Sequence, residues 1–383
     1  MGLNATCWTA DLVRELTAVS KAASKKSTWP ILGNVLIEAT TGEVRLSCTD
    51  LTSWLQAVIP ATVTEPGSTT VTISELTHLV GQFEKGSKAG FFLDPEMDAN
   101  HLVIADGQGT AGTLRIIDPD EMPGRPDTTK WTVMGRMSTR VLADMIVRAI
   151  PFCADDMARP ILTGVKVRTS ADKITFGAAD NYVITCLDGV LYDGAEATVA
   201  VPAASLKLLG GLLSDDNDIT LRVDGTRFNV AWGQYDLTIA GIDGQFPNYE
   251  QVIPRYSPWD GEAGSYGITV DRKALLKALK LARKCDPIVH VVTGGESITV
   301  KIPDPNDGAY ETLFAKSLPA TVTPAQDVRI GFNPALLTLV LNTIAAPTVT
   351  LFRNDPGVLV AFGIDTGDPS SRYAVMPVKL GNL

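Results

Sequence analysis

The sequence predicts an α+β protein built from three tandem copies of one domain. Three similar strings, WPILGN, RPILTG and DPIVHV, contain Pro30, Pro160 and Pro287, which lie 130 and 127 residues apart. Each string also follows a helix-like pattern and precedes a hairpin-like one. A period of this length is typical of tandem domains, each with its own core, rather than of a solenoid.

The first element of each predicted copy is an amphipathic helix. Residues 10–23, 139–150 and 271–284 place apolar side chains at steps of three and four, which is the helical period. A hairpin follows each string, in the runs NVLIEATTGEVRLSCTD, GVKVRTSADKITFGAAD and VHVVTGGESITVKIPD. These runs are rich in Val, Ile and Thr and turn at TTGE, TSAD and TGGE, which favours paired strands.

A second helix is predicted later in each copy, at residues 73–83, 202–213 and 333–344. More strand-like sequence closes each copy, and the joints PGRPDTTK and PRYSPWDG are rich in Pro, Gly and Asp, as linkers are. We therefore expect domains at residues 1–128, 129–257 and 258–383.

The composition narrows the class of protein. The chain has 383 residues, of which 45% are hydrophobic and 20% are charged, as in a globular protein of two or three domains. We find no apolar run of about 18 residues and no basic then apolar leader, so we expect neither a membrane span nor an export signal. The five cysteines are scattered without a CxxC pair, which fits free thiols in a reducing cytoplasm.

The charge is distributed unevenly. A net charge of −10 argues against contact with nucleic acid. However, Lys273, Lys277, Lys280 and Lys284 recur on the side of one predicted helix opposite Leu275. Basic residues in or beside the helices of the other copies are Arg14, Lys21, Lys25, Lys26, Arg140, Arg148 and Lys207. Any one such helix is an ordinary solvated face, but three equivalent ones in an acidic chain favour sequence-independent contact with duplex phosphates.

The short motifs that could indicate an enzyme or a metal site lack the surrounding sequence that their chemistry requires. Residues 107–112 read GQGTAG and match GxGxxG, but a strand follows, so no helix terminus is available for a pyrophosphate. DPNDG at 304–308 resembles a calcium loop but has Ala315 where the glutamate belongs. His78, His101 and His290 are isolated. We predict no catalytic residue, no cofactor and no metal site.

Five separated segments, in order over the whole chain, resemble the bacterial sliding clamp, the beta subunit of DNA polymerase III. They are PILGNVLIEA with SCTDL, RPILTGV with AADNYVIT, DGQFPNYEQVIP, IGFNPALLTLVLNTI and YAVMPVKL. The resemblance implies three clamp domains per chain and a head-to-tail homodimeric ring with helices inside and sheets outside. It also implies that double-stranded DNA passes through the ring, so the basic helices would face the DNA.

The resemblance further implies a hydrophobic pocket for short peptides of the DNA polymerase III catalytic subunit, the clamp loader and other proteins with a clamp-binding motif. The matching residues are Leu162, Ala179, Tyr182, Val183, Ile184, Pro247, Val252, Val375, Met376, Pro377, Val378 and Leu380. The chain departs from the TDGYRLA-like family stretch, because Ala179, Asn181 and Val183 replace Thr, Gly and Arg, and Lys379 stands where Arg is frequent. Loss of that Arg removes a hydrogen-bond donor, so we expect an altered partner preference and a divergent member of the family.

Ring closure in the family joins an edge strand of the first domain to one of the third. The candidates are Thr113, Leu114 and Ile116 in one segment and Cys285 and Ile288 in the other. The resemblance implies a non-catalytic processivity factor, cytoplasmic and associated with the nucleoid, without a membrane partner. Two alternatives stay open: an enzyme with a cleft of scattered carboxylates, and a ring-forming scaffold that does not act on DNA, which would not need basic residues on the repeated helices.

Overall fold

The chain folds into α-helices and antiparallel sheets, as the predicted α+β class requires. The computed structural model describes residues 2–24, 27–93, 100–214, 216–254, 266–284, 288–303, 312–353 and 361–380. No helix in these ranges is both long enough and apolar enough to cross a membrane.

One order of elements occurs three times: a strand, a helix, four strands, a second helix and three strands. The first copy contains β1 (Leu3–Trp8), α1 (Thr9–Val19), β2 (Asn34–Thr40), β3 (Glu43–Thr49), β4 (Ser53–Glu65), β5 (Gly67–Thr72), α2 (Ile73–Val80), β6 (Lys88–Leu93), β7 (His101–Ala105) and β8 (Ala111–Ile117). The second contains β9 (Thr132–Ser138), α3 (Thr139–Ala149), β10 (Gly164–Thr169), β11 (Lys173–Ala179), β12 (Val183–Val190), β13 (Ala197–Pro202), α4 (Ala203–Gly210), β14 (Asp218–Asp224), β15 (Arg227–Trp232) and β16 (Tyr235–Ala240). The third contains β17 (Tyr266–Asp271), α5 (Arg272–Ala282), β18 (Val289–Gly294), β19 (Ser297–Pro303), β20 (Thr312–Thr323), β21 (Arg329–Phe332), α6 (Pro334–Asn342), β22 (Thr348–Arg353), β23 (Phe362–Asp365) and β24 (Ser371–Val375). The predicted threefold repeat is confirmed in this order.

The helices begin close to where the sequence predicts, and most end earlier. Helix α5 begins after Asp271, whose side chain accepts a hydrogen bond from the Ala274 amide at 2.7 Å. Asn333 caps α6 in the same way, by accepting from the Ala335 amide at 2.9 Å. Such caps satisfy backbone donors that have no partner within the helix. Helix α1 gives way to a 3₁₀ turn, Ser20–Ala22.

Contacts divide the chain into two compact units. Unit 1 comprises Met1–Ala143, Thr169–Asp172 and Leu191–Ile242. Its sheet has the strand order β1-β6-β7-β8-β5-β2-β3-β4-β16-β15-β14-β9, and β1 also pairs with β4, so the first eight of these strands close on themselves. Strand β4 does this through its second half, while its first half pairs with β16.

Unit 2 comprises Asp144–Arg168, Lys173–Val190 and Asp243–Leu383. Its strands follow the order β10-β11-β12-β24-β23-β22-β17-β20-β19-β18-β21. Strand β12 joins β24 with Val183 opposite Val375 and Leu187 opposite Ser371. This junction repeats the one between β4 and β16, because a fourth strand again pairs with the last strand of the following copy.

The two segments predicted to form the interface between subunits differ in whether their strands have an unpaired edge. Strand β18 pairs with β19 on one edge and with β21 on the other, so it offers no free edge to a further strand, and the interface roles of Cys285 and Ile288 stay predictions. The sheet continues beyond β18, which sequence patterning did not indicate. Cys285 lies outside the described residues, and Ile288 is half-buried beside β18.

Strand β8 is different. Its residues Ala111–Arg115 pair with β7, while the described chain records no strand on their opposite edge. Thr113 is exposed and Leu114 is buried at that edge, whereas Ile116 pairs with Val71 of β5.

Candidate functional site

A basic ridge runs along α5. Lys273, Lys277 and Lys280 are exposed, and Lys284 is exposed just beyond the helix end. The opposite side of the helix is buried, with Leu275, Leu276, Ala278, Leu279 and Ala282 in the core. Since no acidic residue occurs from Arg272 to Lys284, the positive potential of the ridge is not cancelled within the helix.

Basic residues of the first copy are partly engaged. Arg14 forms ion pairs with Asp11 at 2.9 Å and with Glu15 at 2.7 Å, and its hydrogen bond to Glu15 raises the pKa of Arg14. Lys21 donates to the carbonyl oxygen of Gly211 at 2.9 Å. Both side chains are still exposed. Lys25 and Lys26 lie outside the described residues.

The predicted DNA-facing residues of the second copy differ in their exposure to solvent. Arg140 and Lys207 are exposed. Arg148 is half-buried, and its guanidinium donates to the Tyr373 hydroxyl at 2.8 Å, to the Ser371 hydroxyl and to Asp144 at 3.0 Å. These bonds hold the end of α3 to β24, so most Arg148 donors already serve the packing of unit 2. A phosphate contact by Arg148 stays a prediction.

An apolar cluster lies on the face of β12 and β24 that carries the even-numbered side chains, and we call it the junction cluster. Its buried members are Leu162, Cys186, Phe246, Tyr249, Ile253, Ala361 and Ala374, with Ala154, Ile161, Ile184 and Met376 packed against them. The half-buried members leave apolar surface available on this side of the sheet.

Strand register separates the predicted pocket residues. Ile184 pairs with Ala374 on the cluster face, and Ala179 pairs with Ile184, so it shares that face. Val183 and Val375 pair with each other and point to the other side, where 1% and 0% of each residue is exposed. The prediction that Val183 and Val375 line the pocket is therefore wrong, because neighbouring residues of a strand face opposite sides.

The segment between the second and third copies contributes different residues from those predicted. Pro247 and Val252 are exposed, whereas Phe246, Tyr249 and Ile253 are buried in the cluster. The buried residues are three and four positions apart, which is the helical period, and this spacing is a sequence signal that indicates them.

Gly177 provides the room for Tyr249. A Cβ atom at Gly177 would lie 2.2 Å from the Tyr249 ring, a distance that two carbon atoms cannot adopt without movement. The Phe246 ring meets the Tyr249 ring edge to face, with centroids 5.8 Å apart.

The carboxy-terminal segment is tied to the sheet by its backbone. The amide of Met376 donates to the carbonyl of Tyr182 at 2.7 Å, and the amide of Val378 donates to Gly331 at 2.8 Å. Met376, Pro377, Val378 and Leu380 are half-buried, and Tyr182, whose carbonyl accepts from Met376, is 58% exposed. The segment thus has a fixed path and accessible apolar side chains.

Two turns of the same design flank β4 and β12. Asp180 accepts hydrogen bonds from the amides of Tyr182 at 2.5 Å and Val183 at 2.7 Å. In unit 1, Asp50 accepts from the amides of Thr52 and Ser53 at 3.0 and 2.7 Å. The turn that positions Tyr182 therefore occurs in both the first and the second copy.

Arg159, which was not among the residues predicted from the sequence, contacts the turn before β12. It is exposed and donates to the Asn181 side chain at 3.1 Å. A guanidinium is therefore present at this turn although Val183 replaces the family arginine.

The described residues contain no group of three His, Cys, Asp or Glu side chains arranged to hold a metal ion. Burial raises the pKa of Cys7 and of Cys153 to about 12, so both thiols stay protonated near neutral pH. The ridge and the cluster are suited to non-covalent binding.

Comparisons with known proteins find relatives that match nearly the full length of the chain. The family model for the DNA polymerase III beta subunit, N-terminal domain, matches residues 3–123, and the model for its central domain matches residues 136–248. A beta sliding clamp of Synechocystis sp. is 26% identical over 98% of this chain and 99% of its own length. The Escherichia coli K12 beta sliding clamp is 23% identical over 96% of this chain and 98% of its own.

Solved structures share the fold. The DNA polymerase sliding clamp of Bacillus subtilis aligns with a TM-score of 0.86 and 20% identity, covering 99% of this chain and 100% of that one. A Pseudomonas aeruginosa DnaN sliding clamp bound to griselimycin aligns with a TM-score of 0.85 and 20% identity over the same shares.

Proposed function

The chain belongs to the DNA polymerase III beta subunit family, and we propose that it is a sliding clamp that encircles duplex DNA and tethers the replicative polymerase to it. The observation that carries this proposal is the separation of two surfaces in unit 2. The exposed lysine ridge lies on a helix, whereas the junction cluster lies on the sheet face turned away from the core residues Val183 and Val375. A protein with these two surfaces can contact DNA on one side and a partner on the other.

The lysine ridge suits weak, sequence-independent contact. Lysine contacts phosphate as a point charge, and such contacts carry no base information. A ring holds DNA topologically, so it needs little affinity, and strong contacts would slow sliding. The acidic remainder of the chain limits non-specific binding elsewhere on the surface. In this proposal the protein performs no chemistry and acts on the chromosome in the cytoplasm.

Strand pairing supports a ring of two subunits. The fourth strand of the first copy, β4, pairs with the last strand of the second copy, β16. The fourth strand of the second copy, β12, pairs with the last strand of the third, β24. Among the strands that the structure describes, β20 and β8 remain for the same kind of pairing, and a second copy of the chain would supply both in two identical junctions. Closed head-to-tail pairing would also cover edges that otherwise favour aggregation.

The register of this junction follows from that of β16 on β4. Asp236 follows the hairpin turn of β16 and pairs with Ala231, as Ala111 follows the turn of β8 and pairs with Ala105. Ala111 therefore occupies in β8 the place that Asp236 has in β16. In the junction already present, Asp236 pairs with Gln56 of β4.

The same comparison indicates which residue of β20 would pair with Ala111. Gln56 lies four residues before Pro60, and Pro60 pairs with the first residue of β3. Ala315 likewise lies four residues before Pro319, and Pro319 pairs with the first residue of β19. We therefore expect Ala111 of one chain to lie opposite Ala315 of the partner subunit.

The junction cluster is proposed as the partner site. Ile184 and Met376 offer apolar surface, with Tyr182 at the edge and Arg159 as a polar donor at the rim. Short aliphatic side chains and methionine adapt to different apolar anchors. The partners we propose are the polymerase catalytic subunit, the clamp loader and other proteins with a short clamp-binding peptide. Docking raises the effective concentration of a polymerase at its template.

Charge reversal on the ridge is expected to weaken contact with DNA. Replacing Lys277 and Lys280 with Glu should lower the affinity for a short duplex and reduce the slope of log affinity against log salt by about 2 or more. Fluorescence anisotropy over a salt series measures both. Lys85→Glu with Lys130→Glu is the matched control, because these exposed lysines lie off the helices. An unchanged slope would reject the ridge as the DNA surface.

Shortening one cluster side chain is expected to weaken partner binding. Met376→Ala removes apolar contact surface, and we expect about a tenfold or larger loss of affinity for a carboxy-terminal peptide of the polymerase catalytic subunit. Titration of the labelled peptide measures this. Met157→Ala, at a residue that is 69% exposed, serves as the control. Equal affinity in both variants would contradict the assignment of the cluster.

The proposed junction between subunits is open to cross-linking. In a chain with Ala111→Cys and Ala315→Cys, oxidation should give a covalent dimer on a non-reducing gel, because directly paired residues are close enough for a disulfide. Either single substitution, and Ala111→Cys combined with Lys316→Cys, should give little dimer, since a shift by one residue turns the side chain to the other face. A monomer after oxidation of the first variant would overturn the junction.

A further inference from the structure

We propose that a cavity in unit 2, on the side of the sheet opposite the junction cluster, binds a linear alkylammonium ion such as an aliphatic diamine. The cavity has a volume of about 650 Å³, which lies within the range of small-molecule sites. It lies between the end of α3, the end of α6 and the turn that joins β23 to β24. This site goes beyond the proposed clamp function and does not depend on it.

Unit 1 shows what fills the corresponding place between its own helices. Lys21 lies in the 3₁₀ turn after α1 and donates to the carbonyl oxygen of Gly211, at the end of α4, at 2.9 Å. A cation at this end of a helix is stabilised by the partial negative charge of carbonyls that have no partner within the helix. The end of the Lys21 side chain is a butylammonium group, so unit 1 carries its own occupant.

Unit 2 has no such side chain at the equivalent position. Pro151 takes the place of Lys21, because each lies twelve residues after the first residue of α3 or α1, in the middle of a 3₁₀ turn. Asn342 takes the place of Gly211, eight residues after the first residue of α6 or α4. Among the described residues, no hydrogen-bond donor reaches the carbonyls of Asn342 and Thr343. The cavity of unit 2 therefore lies where unit 1 holds an ammonium group.

Another cation already serves the neighbouring carbonyls of α6. Arg272 donates to the carbonyl oxygen of Leu341 at 3.1 Å and to that of Ala346 at 2.8 Å. Asn342 and Thr343 line the cavity between these two positions. We therefore expect the ammonium group of the ligand at the carbonyls of Asn342 and Thr343.

The charged residues that line the cavity favour a cation over an anion. Asp144 and Asp368 bring two negative charges, against one positive charge from Arg148. Arg148 already donates to Asp144 at 3.0 Å and to two hydroxyl groups of β24. Burial opposes the ionisation of Asp368, but hydrogen bonds from Ser370 and Ser371 and the charge of Arg148 hold the pKa of Asp368 below its usual value. The lining is therefore net negative near neutral pH.

The apolar walls of the cavity select a ligand with an alkyl chain. Val147, Leu339 and Ile344 line it, and Val147 is 69% exposed although it is a large aliphatic residue. A chain of four or five carbon atoms would cover this surface while its ammonium group meets the carbonyls, as the stem and head of a lysine side chain do. An inorganic cation lacks the chain, and a neutral alcohol lacks the charge.

Methyl NMR of the full-length, isotope-labelled protein tests the proposal without DNA or any peptide. Butylammonium chloride, titrated at constant ionic strength, should shift the methyl signals of Val147, Leu339 and Ile344 and saturate with a dissociation constant of about 1 mM. We expect 1,5-diaminopentane to bind about threefold more tightly, because its second ammonium group adds attraction to the carboxylates. The neutral control, 1-butanol, should bind at least tenfold more weakly than butylammonium.

Variants place the ammonium group. Pro151→Lys should weaken butylammonium binding at least tenfold, because the new side chain supplies its own ammonium, whereas Pro151→Ala should retain it. Asp144→Asn should weaken binding about threefold. Lys21→Met, which changes the corresponding place in unit 1, should leave the shifts of Val147, Leu339 and Ile344 unchanged.

Thermal melting separates an ammonium that is bound from a cavity that is merely blocked. Pro151→Lys should melt about 1–3 °C above Pro151→Met, because both side chains are long and only the first brings a cation to the end of α6. Equal melting temperatures would show that the carbonyls gain nothing from an ammonium group and would count against the site.

Three NMR outcomes would overturn the proposal. Equal affinity for butylammonium and 1-butanol would show an apolar cavity without a cation site. Shifts that fail to saturate would show weak binding without a defined site. Unchanged binding to Pro151→Lys would place the ammonium elsewhere. Each of these outcomes leaves the proposed clamp function untouched, because neither DNA nor a partner peptide takes part in the measurement.

Discussion

Backbone pairing between the fourth strand of one copy and the last strand of the next is the constraint on which the structure depends. In unit 1 it joins β4 to β16, and in unit 2 it joins β12 to β24. Each pairing fixes the register of every side chain on the two strands, because a shift by one residue turns all of them to the opposite face. Among the described strands the same constraint leaves β8 and β20, which are the strands of the junction that we propose between two chains.

The register at β12 and β24 creates two surfaces with different chemistry. Odd-numbered residues of β24, such as Tyr373 and Val375, face the side where Arg148 anchors the end of α3. Ala374, which is even-numbered, and Met376, just beyond the strand, face the junction cluster. A sheet that is covered by helices on one side can therefore leave adaptable apolar surface on the other. This division separates the exposed lysines of α5 from the apolar surface of the proposed partner site.

The sequence predicted the features that depend on local periodicity. The threefold order of elements and the exposed lysines of α5 follow from apolar spacing, which local sequence records directly. Strand register and long-range contacts are absent from that signal, so Val183 and Val375 were assigned to the wrong face. The engagement of Arg148 with Tyr373 joins residues 225 apart, and no helix pattern indicates it. Phe246 and Tyr249 were missed for a different reason: the family resemblance directed attention to Pro247 and Val252 of the same segment, and the helical spacing of the apolar residues was not used.

The proposed function requires that the protein hold DNA by enclosing it. The most direct measurement is retention on closed circular duplex DNA after loading by the clamp loader, followed by a single double-strand cut, with protein and DNA separated by gel filtration. We expect the protein to stay with the closed circle at a salt concentration that removes it from short linear duplexes, and to leave once the circle is cut. Equal retention before and after the cut, or loss from the closed circle at the same salt concentration as from linear DNA, would contradict it.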